Sequence, residues 1–188
     1  MTTRYLLWIV LALPAAFMVG GYWRETLVYG EVVHASGEMA ARLLIVTMAA
    51  TPLCLMFPAA RLPRWLLVNR RYLGVAAFAY TLLHAVTYLA RKADLATIVE
   101  EARYVGMWTG WIAFVLMALL AVTSNDAAVR LLRRAWKSLH RWVYAAAVLT
   151  YLHWVLSAFA PAGASVHFGV LALLEGFRLW KTRLARRG

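Results

Sequence analysis

Six long apolar stretches, separated by short polar segments, run along almost the whole chain. A helix needs roughly 20 mostly apolar residues to cross the hydrocarbon core of a bilayer, which is about 30 Å thick. Because each stretch approaches that length, we expect an all-α protein in which a six-helix transmembrane bundle forms a single integral membrane domain over residues 1–188. The predicted crossings are Tyr5–Gly21, Met39–Phe57, Tyr72–Ala90, Gly106–Thr123, Arg141–Phe159 and Val166–Trp180.

The composition supports this interpretation and excludes a soluble domain. Of the 188 residues, 64% are hydrophobic, which leaves too few polar side chains to cover a water-soluble globule of this size. Any soluble redox or hydrolytic domain must therefore belong to another polypeptide. We interpret the first stretch as a retained helix, distorted near Pro14, since it lacks a clear signal-cleavage site.

The net charge of +12 is concentrated in alternate connections and therefore indicates topology, not nucleic-acid binding. Two connections, Leu62–Arg71 and Asn125–Arg141, are strongly basic, whereas the connections between them are balanced or uncharged. We expect the basic segments, and with them both termini, to lie in the cytoplasm. The C-terminal tail is the third basic segment and contributes Arg178, Lys181, Arg183, Arg186 and Arg187.

Motifs of soluble catalytic sites are absent from the sequence. A single cysteine, Cys54, gives neither a disulfide nor a metal-ligand spacing. No nucleotide-binding glycine loop and no hydrolase or zinc-protease motif occurs. We therefore predict no catalytic residue.

Two histidines inside the apolar stretches carry the main functional signal, because ionisable residues at membrane depth tend to mark a pathway or a cofactor. The third and fifth helices both enter from the cytoplasm. At 1.5 Å per residue, His84 then lies about 18 Å and His153 about 20 Å along their helices. Two imidazoles at one depth are typical of a six-coordinate haem b in a helix bundle. Alternatively, each could hydrogen-bond to a neighbouring helix.

The other histidines lie near the membrane surfaces. We expect His34 in the first outer loop and His167 at the outer edge of the sixth helix to be solvated. His140 lies at the cytoplasmic mouth of the fifth helix, about 140° in azimuth from His153 on a straight helix. It would serve a second site, either another haem or a flavin, or else be an interfacial residue without a ligand.

Three arginines could assist cofactor binding. Arg70 and Arg71 could hold a flavin phosphate or haem propionates, although the inner topology already explains their charge. Arg42, one turn after Glu38, could pair with that carboxylate or with propionates of the outer haem.

Several stretches together resemble the ferric-reductase-like transmembrane superfamily, and within it the MsrQ (YedZ) family, the haem-binding membrane subunits of bacterial periplasmic methionine sulfoxide reductase systems. They are "SGEMAARLLIVTMAATPL", "NRRYLGVAAFAYTLLH", "LAVTS" and "WKSLHRWVYAAAVLTYLHW", in this order between Ser36 and Phe159. The resemblance implies that His84, His140 and His153 are the haem and cofactor histidines, with FMN or a second haem beside haem b.

The resemblance also implies an electron-transfer subunit of an oxidoreductase system in the bacterial inner membrane. Electrons would pass from a cytoplasmic flavin reductase or quinol to a periplasmic molybdopterin reductase subunit. Because Arg91–Gly106 is the longest outer loop and carries mixed charges, we expect a periplasmic protein acceptor to dock there. Whether the chain is itself an enzyme depends on its acceptor, because a stand-alone ferric reductase or an NADPH-oxidase-like reductase would use a small molecule. A haem-free transporter or assembly factor is the remaining alternative, but internal repeats are not evident.

Overall fold

The computed structural model describes residues 2–92, 94–157 and 161–185. These residues form helices joined by short turns, so the predicted all-α class is confirmed. Phe159, at the predicted end of the fifth crossing, and the tail residues Arg186 and Arg187 lie outside the described residues. The helices are α1 (Thr2–Trp23), α2 (Tyr29–Met56), α3 (Arg61–Ala90), α4 (Leu95–Glu101), α5 (Val105–Val122), α6 (Asp126–Leu132), α7 (Arg134–His140), α8 (Val143–Ser157) and α9 (Pro161–Leu184).

Four helices, α1, α2, α3 and α5, are long and apolar enough to cross a membrane, which makes the chain a multi-pass membrane protein. The described part of α8 has only 15 residues, or about 22 Å of rise. Helix α9 has 24 residues, with Lys181 and Arg183 in its last turn. The six-crossing count and the cytoplasmic position of both termini therefore remain predictions.

The three predicted connections contain helix. Leu62–Arg71 belongs to α3, which begins at Arg61. The predicted outer connection Arg91–Gly106 contains α4, and Asn125–Arg141 contains α6 and α7. Hydropathy detects the part of a helix that lies in hydrocarbon, so it misses polar turns that continue a helix beyond that layer.

The start of α2 is also earlier than predicted, at Tyr29 and not at Met39. The extra turns carry glycines and charged residues, which lowered the apparent hydropathy of the segment. His34, expected in an outer loop, therefore lies on α2, although its side chain is exposed as predicted. The Glu31 carboxylate accepts a hydrogen bond from the Val28 N–H at 2.8 Å and fixes the start of the helix.

Two antiparallel helix pairs, α2 with α3 and α5 with α8, build the bundle, and α9 packs against α2 and α8. Their small residues allow close approach, as is usual between membrane helices. Helix α1 contacts α2 and α3 at the edge of the bundle, and its apolar side chains are largely exposed. The central cluster draws on all five inner helices: Leu44, Met48, Ala77, Met117, Ala146, Ala147 and Leu171.

Candidate two-histidine site

A cavity of about 460 Å³ opens between α2, α3, α5 and α8. Its volume falls in the range of about 300–1,000 Å³ that is usual for ligand pockets. It lies toward the end of the bundle that carries the α1–α2 and α3–α5 connections. Most of its lining is apolar, aromatic or small, and the lining includes Val33, Gly37, Ala41, His84, Tyr88, Met107, Gly110, Trp111, Phe114, Met117, His153 and Trp154.

His84 and His153 face each other across this cavity. Their ring centroids are 6.0 Å apart and their planes are nearly perpendicular, at 84°. His84 is held on α3 and His153 on α8, and both side chains are half-buried. The structure thus brings together the two histidines that depth along the helices had paired.

Each of these imidazoles is anchored by a backbone carbonyl of the neighbouring helix. Nδ1 of His84 lies 2.8 Å from the carbonyl oxygen of Val33 on α2. Nδ1 of His153 lies 2.6 Å from the carbonyl oxygen of Gly106 on α5. A carbonyl oxygen only accepts hydrogen bonds, so Nδ1 carries the hydrogen in both rings.

The second ring nitrogen, Nε2, is thereby left with a lone pair in the neutral form of both residues. Neither Nε2 has a hydrogen-bond partner within residues 2–92, 94–157 and 161–185. A histidine that donates its Nδ1–H to a carbonyl and keeps Nε2 free has the arrangement of a metal ligand, because the carbonyl fixes the tautomer and orients the ring.

The number of protein ligands distinguishes a haem from a simple metal ion. The described residues contain no group of three or more His, Cys, Asp or Glu side chains that could hold a metal ion, and zinc sites use at least three protein ligands. A haem brings four nitrogen ligands of its own and needs only two axial ones. Two opposed imidazoles in an apolar cavity therefore fit a haem better than a bare ion.

The mouth of the cavity carries a few polar side chains. His34 and Glu38 belong to the lining, and Arg42 pairs with Glu38 at 2.5 Å. This is the pairing considered from the sequence for Arg42. The Arg42 side chain remains about half exposed, at 48%, and so stays open to a second anionic partner.

Tyr88, also at this mouth, connects the cavity to the short helix α4. Its hydroxyl donates to a Glu101 carboxylate oxygen, and Lys92 binds the other oxygen, each at 2.5 Å. The hydrogen bonds from Lys92 and Tyr88 lower the pKa of Glu101. Helix α4 is thus fastened to the end of α3 by a carboxylate that is ionised at neutral pH.

His140 lies outside the cavity, on α7. Its ring stacks on Trp136, with centroids 3.8 Å apart and an interplanar angle of 24°. Nδ1 faces the Trp136 carbonyl at 3.2 Å, and Nε2 lies 3.3 Å from the Ser124 hydroxyl. Burial lowers the pKa of His140, and the charges of Arg70 and Arg71 lower it further. A break at residues 141 and 142 separates α7 from α8, so the azimuth calculated for one straight helix does not apply.

Arg70 and Arg71 lie on α3 directly before Tyr72, where the predicted third crossing begins. At this level α3 passes α6 and α7. Arg71 makes a salt bridge to Asp126 at 2.6 Å, which lowers the pKa of that carboxyl. Arg70 is exposed. His140, Arg70 and Arg71 therefore form one neighbourhood, well separated along the helices from His84 and His153, and their predicted cofactor roles remain predictions.

The sequence did not single out Gly37 and Gly110, which lie directly against the two imidazoles. It also could not indicate the carbonyls of Val33 and Gly106, because every residue carries a backbone carbonyl. A glycine inside an apolar helix could have drawn attention, since glycine weakens a helix interior relative to alanine. In membrane helices, however, small residues are ordinary packing residues.

Fold and site together define a multi-pass helical membrane protein with a pair of anchored, opposed histidines inside its bundle. The family model of ferric reductase like transmembrane components matches residues 36–151. The chain belongs to this family, and it groups there with the MsrQ proteins.

Two relatives illustrate the extent of the similarity. The protein-methionine-sulfoxide reductase heme-binding subunit MsrQ of Xanthomonas campestris pv. campestris is 37% identical over 161 residues, which cover 84% of this chain and 72% of the relative. The protein of the same name from Azospira oryzae is 34% identical over 182 residues, covering 92% of this chain and 76% of the relative. No solved structure matches.

Proposed function

We propose that this chain is the haem-binding membrane subunit of a methionine sulfoxide reductase system, with one haem b held between His84 and His153. The observation that carries the proposal is the pair of opposed imidazoles, 6.0 Å apart, each with Nδ1 bound to a carbonyl and Nε2 free. The names of the relatives support it, because they describe heme-binding subunits of a protein-methionine-sulfoxide reductase.

The protein's own part in this function is to bind, orient and exclude water. The haem supplies the one-electron chemistry when it is bound. His84 and His153 would hold the haem through their free Nε2 atoms, and the carbonyls of Val33 and Gly106 hold those rings in place. The apolar walls of the cavity, such as Trp111 and Phe114, keep the site at low dielectric, which tunes the redox potential of the bound group.

Electrons enter, in this proposal, from the cytoplasmic side through a flavin reductase or quinol. The basic inner face supports this direction, because it attracts an anionic donor cofactor or an acidic protein surface. His140, Arg70 and Arg71 are the residues we assign to the entry site, where FMN or a second haem would bind. In the described structure Arg71 is engaged with Asp126 and His140 lies near Ser124, so a cofactor there would exchange these contacts for its own.

The electron acceptor is a periplasmic molybdopterin reductase subunit that docks at the outer end of the bundle. Helix α4 and its flanks form the longest outer connection, and they lie beside the cavity mouth through Tyr88 and Glu101. Six membrane crossings in the bacterial inner membrane, with both termini in the cytoplasm, complete the proposal; the alternation of basic and balanced connections supports that topology.

Replacing His84 or His153 by alanine tests the haem assignment. We expect loss of the low-spin haem spectrum in either variant, because the haem iron would keep only one of its two histidine ligands. Haem per protein is measured after the variant has been shown to insert and to run as a single species in detergent. His167→Ala is the matched control, because its Nδ1 binds a carbonyl of its own helix at 2.7 Å. Full occupancy with an unchanged spectrum in His84→Ala and His153→Ala would exclude this pair of ligands.

Oriented vesicles test direction and acceptor. The reductant and flavin reductase are enclosed on the cytoplasmic side, and either a periplasmic molybdoenzyme or a ferric chelate is added outside. Oxidation of the haem by the enzyme but not by the chelate supports the sulfoxide-reductase role. Rapid oxidation by the chelate alone would assign a stand-alone ferric reductase instead, and a haem that internal reductant cannot reduce would overturn the direction.

A further inference from the structure

Two glycines, Gly37 on α2 and Gly110 on α5, lie in direct contact with the imidazoles of the site. A Cβ atom added to Gly37 would lie 2.9 Å from Nδ1 and 3.1 Å from Cε1 of His84. A Cβ atom added to Gly110 would lie 2.6 Å from Nδ1 and 2.7 Å from Cε1 of His153. No side chain larger than hydrogen fits at either position unless the imidazole moves.

The two contacts repeat one local arrangement. Gly37 follows Val33 by four residues, and Gly110 follows Gly106 by four, so each glycine lies one turn after the carbonyl that anchors the histidine. In an α-helix the carbonyl of a residue already accepts a hydrogen bond from the N–H four positions later. The imidazole can reach the second lone pair of that carbonyl only by passing over the Cα of the later residue.

This geometry explains why glycine is needed one turn after the carbonyl. With a Cβ in that place, the imidazole would have to move. It would either withdraw from the carbonyl and lose the Nδ1–H hydrogen bond, or turn about its Cβ–Cγ bond. Either movement would change the direction of Nε2 and the angle of 84° between the two ring planes. Glycine lowers the stability of a helix interior. At these two positions it allows the hydrogen bond that fixes the orientation of each histidine.

We propose that Gly37 and Gly110 are positioning residues that set the orientation of the two axial imidazoles and keep their planes perpendicular. The inference rests on the proposed haem ligation by His84 and His153. It goes beyond that ligation by assigning the angle between the ligands, and therefore the electronic structure of the ferric haem, to two residues that never touch the iron. Perpendicular imidazoles give a strongly anisotropic low-spin ferric signal with one large g value, whereas parallel imidazoles give a less anisotropic one.

Gly37→Ala and Gly110→Ala test the proposal, with Gly30→Ala as the matched control. Gly30 is also on α2 and also lines the cavity, but an added Cβ there meets nothing within 4 Å. For each variant the measurements are haem per protein, the electron paramagnetic resonance spectrum of the ferric form and the midpoint potential. The last two would not respond to a purely structural weakening of the helix pair.

We expect a graded result. Gly110→Ala should lower haem affinity by about 10- to 100-fold, the usual effect of losing an outer-shell partner of a ligating histidine, and should shift the large g value. Gly37→Ala, with the milder overlap, should shift the g value with a smaller loss of haem. Gly30→Ala should match the unmodified protein. If Gly110→Ala does not insert, Gly37→Ala decides the question.

The outcomes also separate this inference from the function on which it rests. Unchanged g values and potentials in both glycine variants, while His84→Ala and His153→Ala lose the haem, would overturn the positioning role alone. A shift in Gly30→Ala as large as in the other two would do the same, because it would show that any alanine in the cavity wall perturbs the haem. Retention of the low-spin signal in the histidine variants would overturn both.

Discussion

Removal of the Tyr80 hydroxyl should loosen α1 from the bundle without disturbing the two-histidine cavity. Pro14 lies inside α1 and has no N–H, so the ladder of helix hydrogen bonds is interrupted there. The Tyr80 hydroxyl accepts a hydrogen bond from the Ala15 N–H at 3.0 Å and donates one to the Leu11 carbonyl at 2.7 Å. It thus contacts both the donor and the acceptor of one helix step beside Pro14, within a helix that runs from Thr2 to Trp23; the distortion near Pro14 remains a prediction.

The size of the effect follows from these two hydrogen bonds. Backbone groups freed near a proline in a membrane helix are commonly satisfied by a neighbouring side chain. A hydrogen bond contributes about 0.5–1.5 kcal/mol net, and side-chain bonds between membrane helices average about 0.6 kcal/mol. Tyr80 is only 3% exposed, so water cannot readily replace the hydroxyl. We expect Tyr80→Phe to lower the free energy of unfolding by about 1–2 kcal/mol.

The assay is denaturant-induced unfolding in mild detergent, followed by tryptophan fluorescence, with haem content measured on the same samples. Tyr72→Phe is the control, because Tyr72 also faces α1, edge-on to Trp8 with ring centroids 5.9 Å apart, while its hydroxyl has no hydrogen bond to any described residue. Equal stability of Tyr80→Phe and Tyr72→Phe would refute the reasoning. It would mean that the two hydrogen bonds of the Tyr80 hydroxyl add nothing measurable to the stability of the bundle.

The remaining predictions concern the two ends of the bundle. His140→Ala should leave the spectrum of the His84/His153 haem unchanged while slowing its reduction by a flavin reductase or removing a second chromophore; an unaltered rate and cofactor content would make His140 a structural residue. Glu101→Gln should release α4 and speed cleavage of the outer connection by added protease, whereas Glu100→Gln, next to it, should not. In the unmodified protein the pKa of Glu101 is lowered in the folded state. The ionised Glu101 carboxylate therefore stabilises α4 fully above the ordinary glutamate pKa of about 4.3. This stabilisation is lost as the pH falls through the lower, folded-state pKa. The rate at which pepsin cleaves the connection that contains α4 should therefore rise as the pH falls through this range. A rate that does not change with pH would contradict the assigned role of Glu101.

The meeting of His84 and His153 could be anticipated because the rise of an α-helix is fixed. Two positions at similar distances from the same membrane face, on helices that run in the same direction, can meet only if the helices are neighbours or share a cavity. The depth of each histidine could be calculated from the sequence, whereas the cavity that both share is seen only in the structure. The beginning of α2 was missed for the opposite reason, because Glu38 and the glycines before it lower hydropathy although several of them face the cavity and not water.

The anchoring of the histidines could not be anticipated at all. Backbone carbonyls have no signature in the sequence, and Gly37 and Gly110 are only two of the eleven glycines in the chain. What distinguishes them is the distance from a hypothetical Cβ to an imidazole on another helix. That distance depends on how α2 packs on α3 and α5 on α8, and no pattern within one helix reports it.

The two helix pairs give the site a symmetry that the sequence does not show. In α2 and α3, and again in α5 and α8, a carbonyl and a glycine one turn later on the first helix hold a histidine of the second helix of the pair. A flat cofactor held from both faces, as proposed, would make the same demand on each face: one free nitrogen and a ring held at a fixed angle. Two copies of one local arrangement meet that demand without any wider sequence repeat. The residues outside the arrangement, such as those of α4 at one end of the bundle and α7 at the other, are then free to differ, as the proposed inner donor and outer acceptor would require.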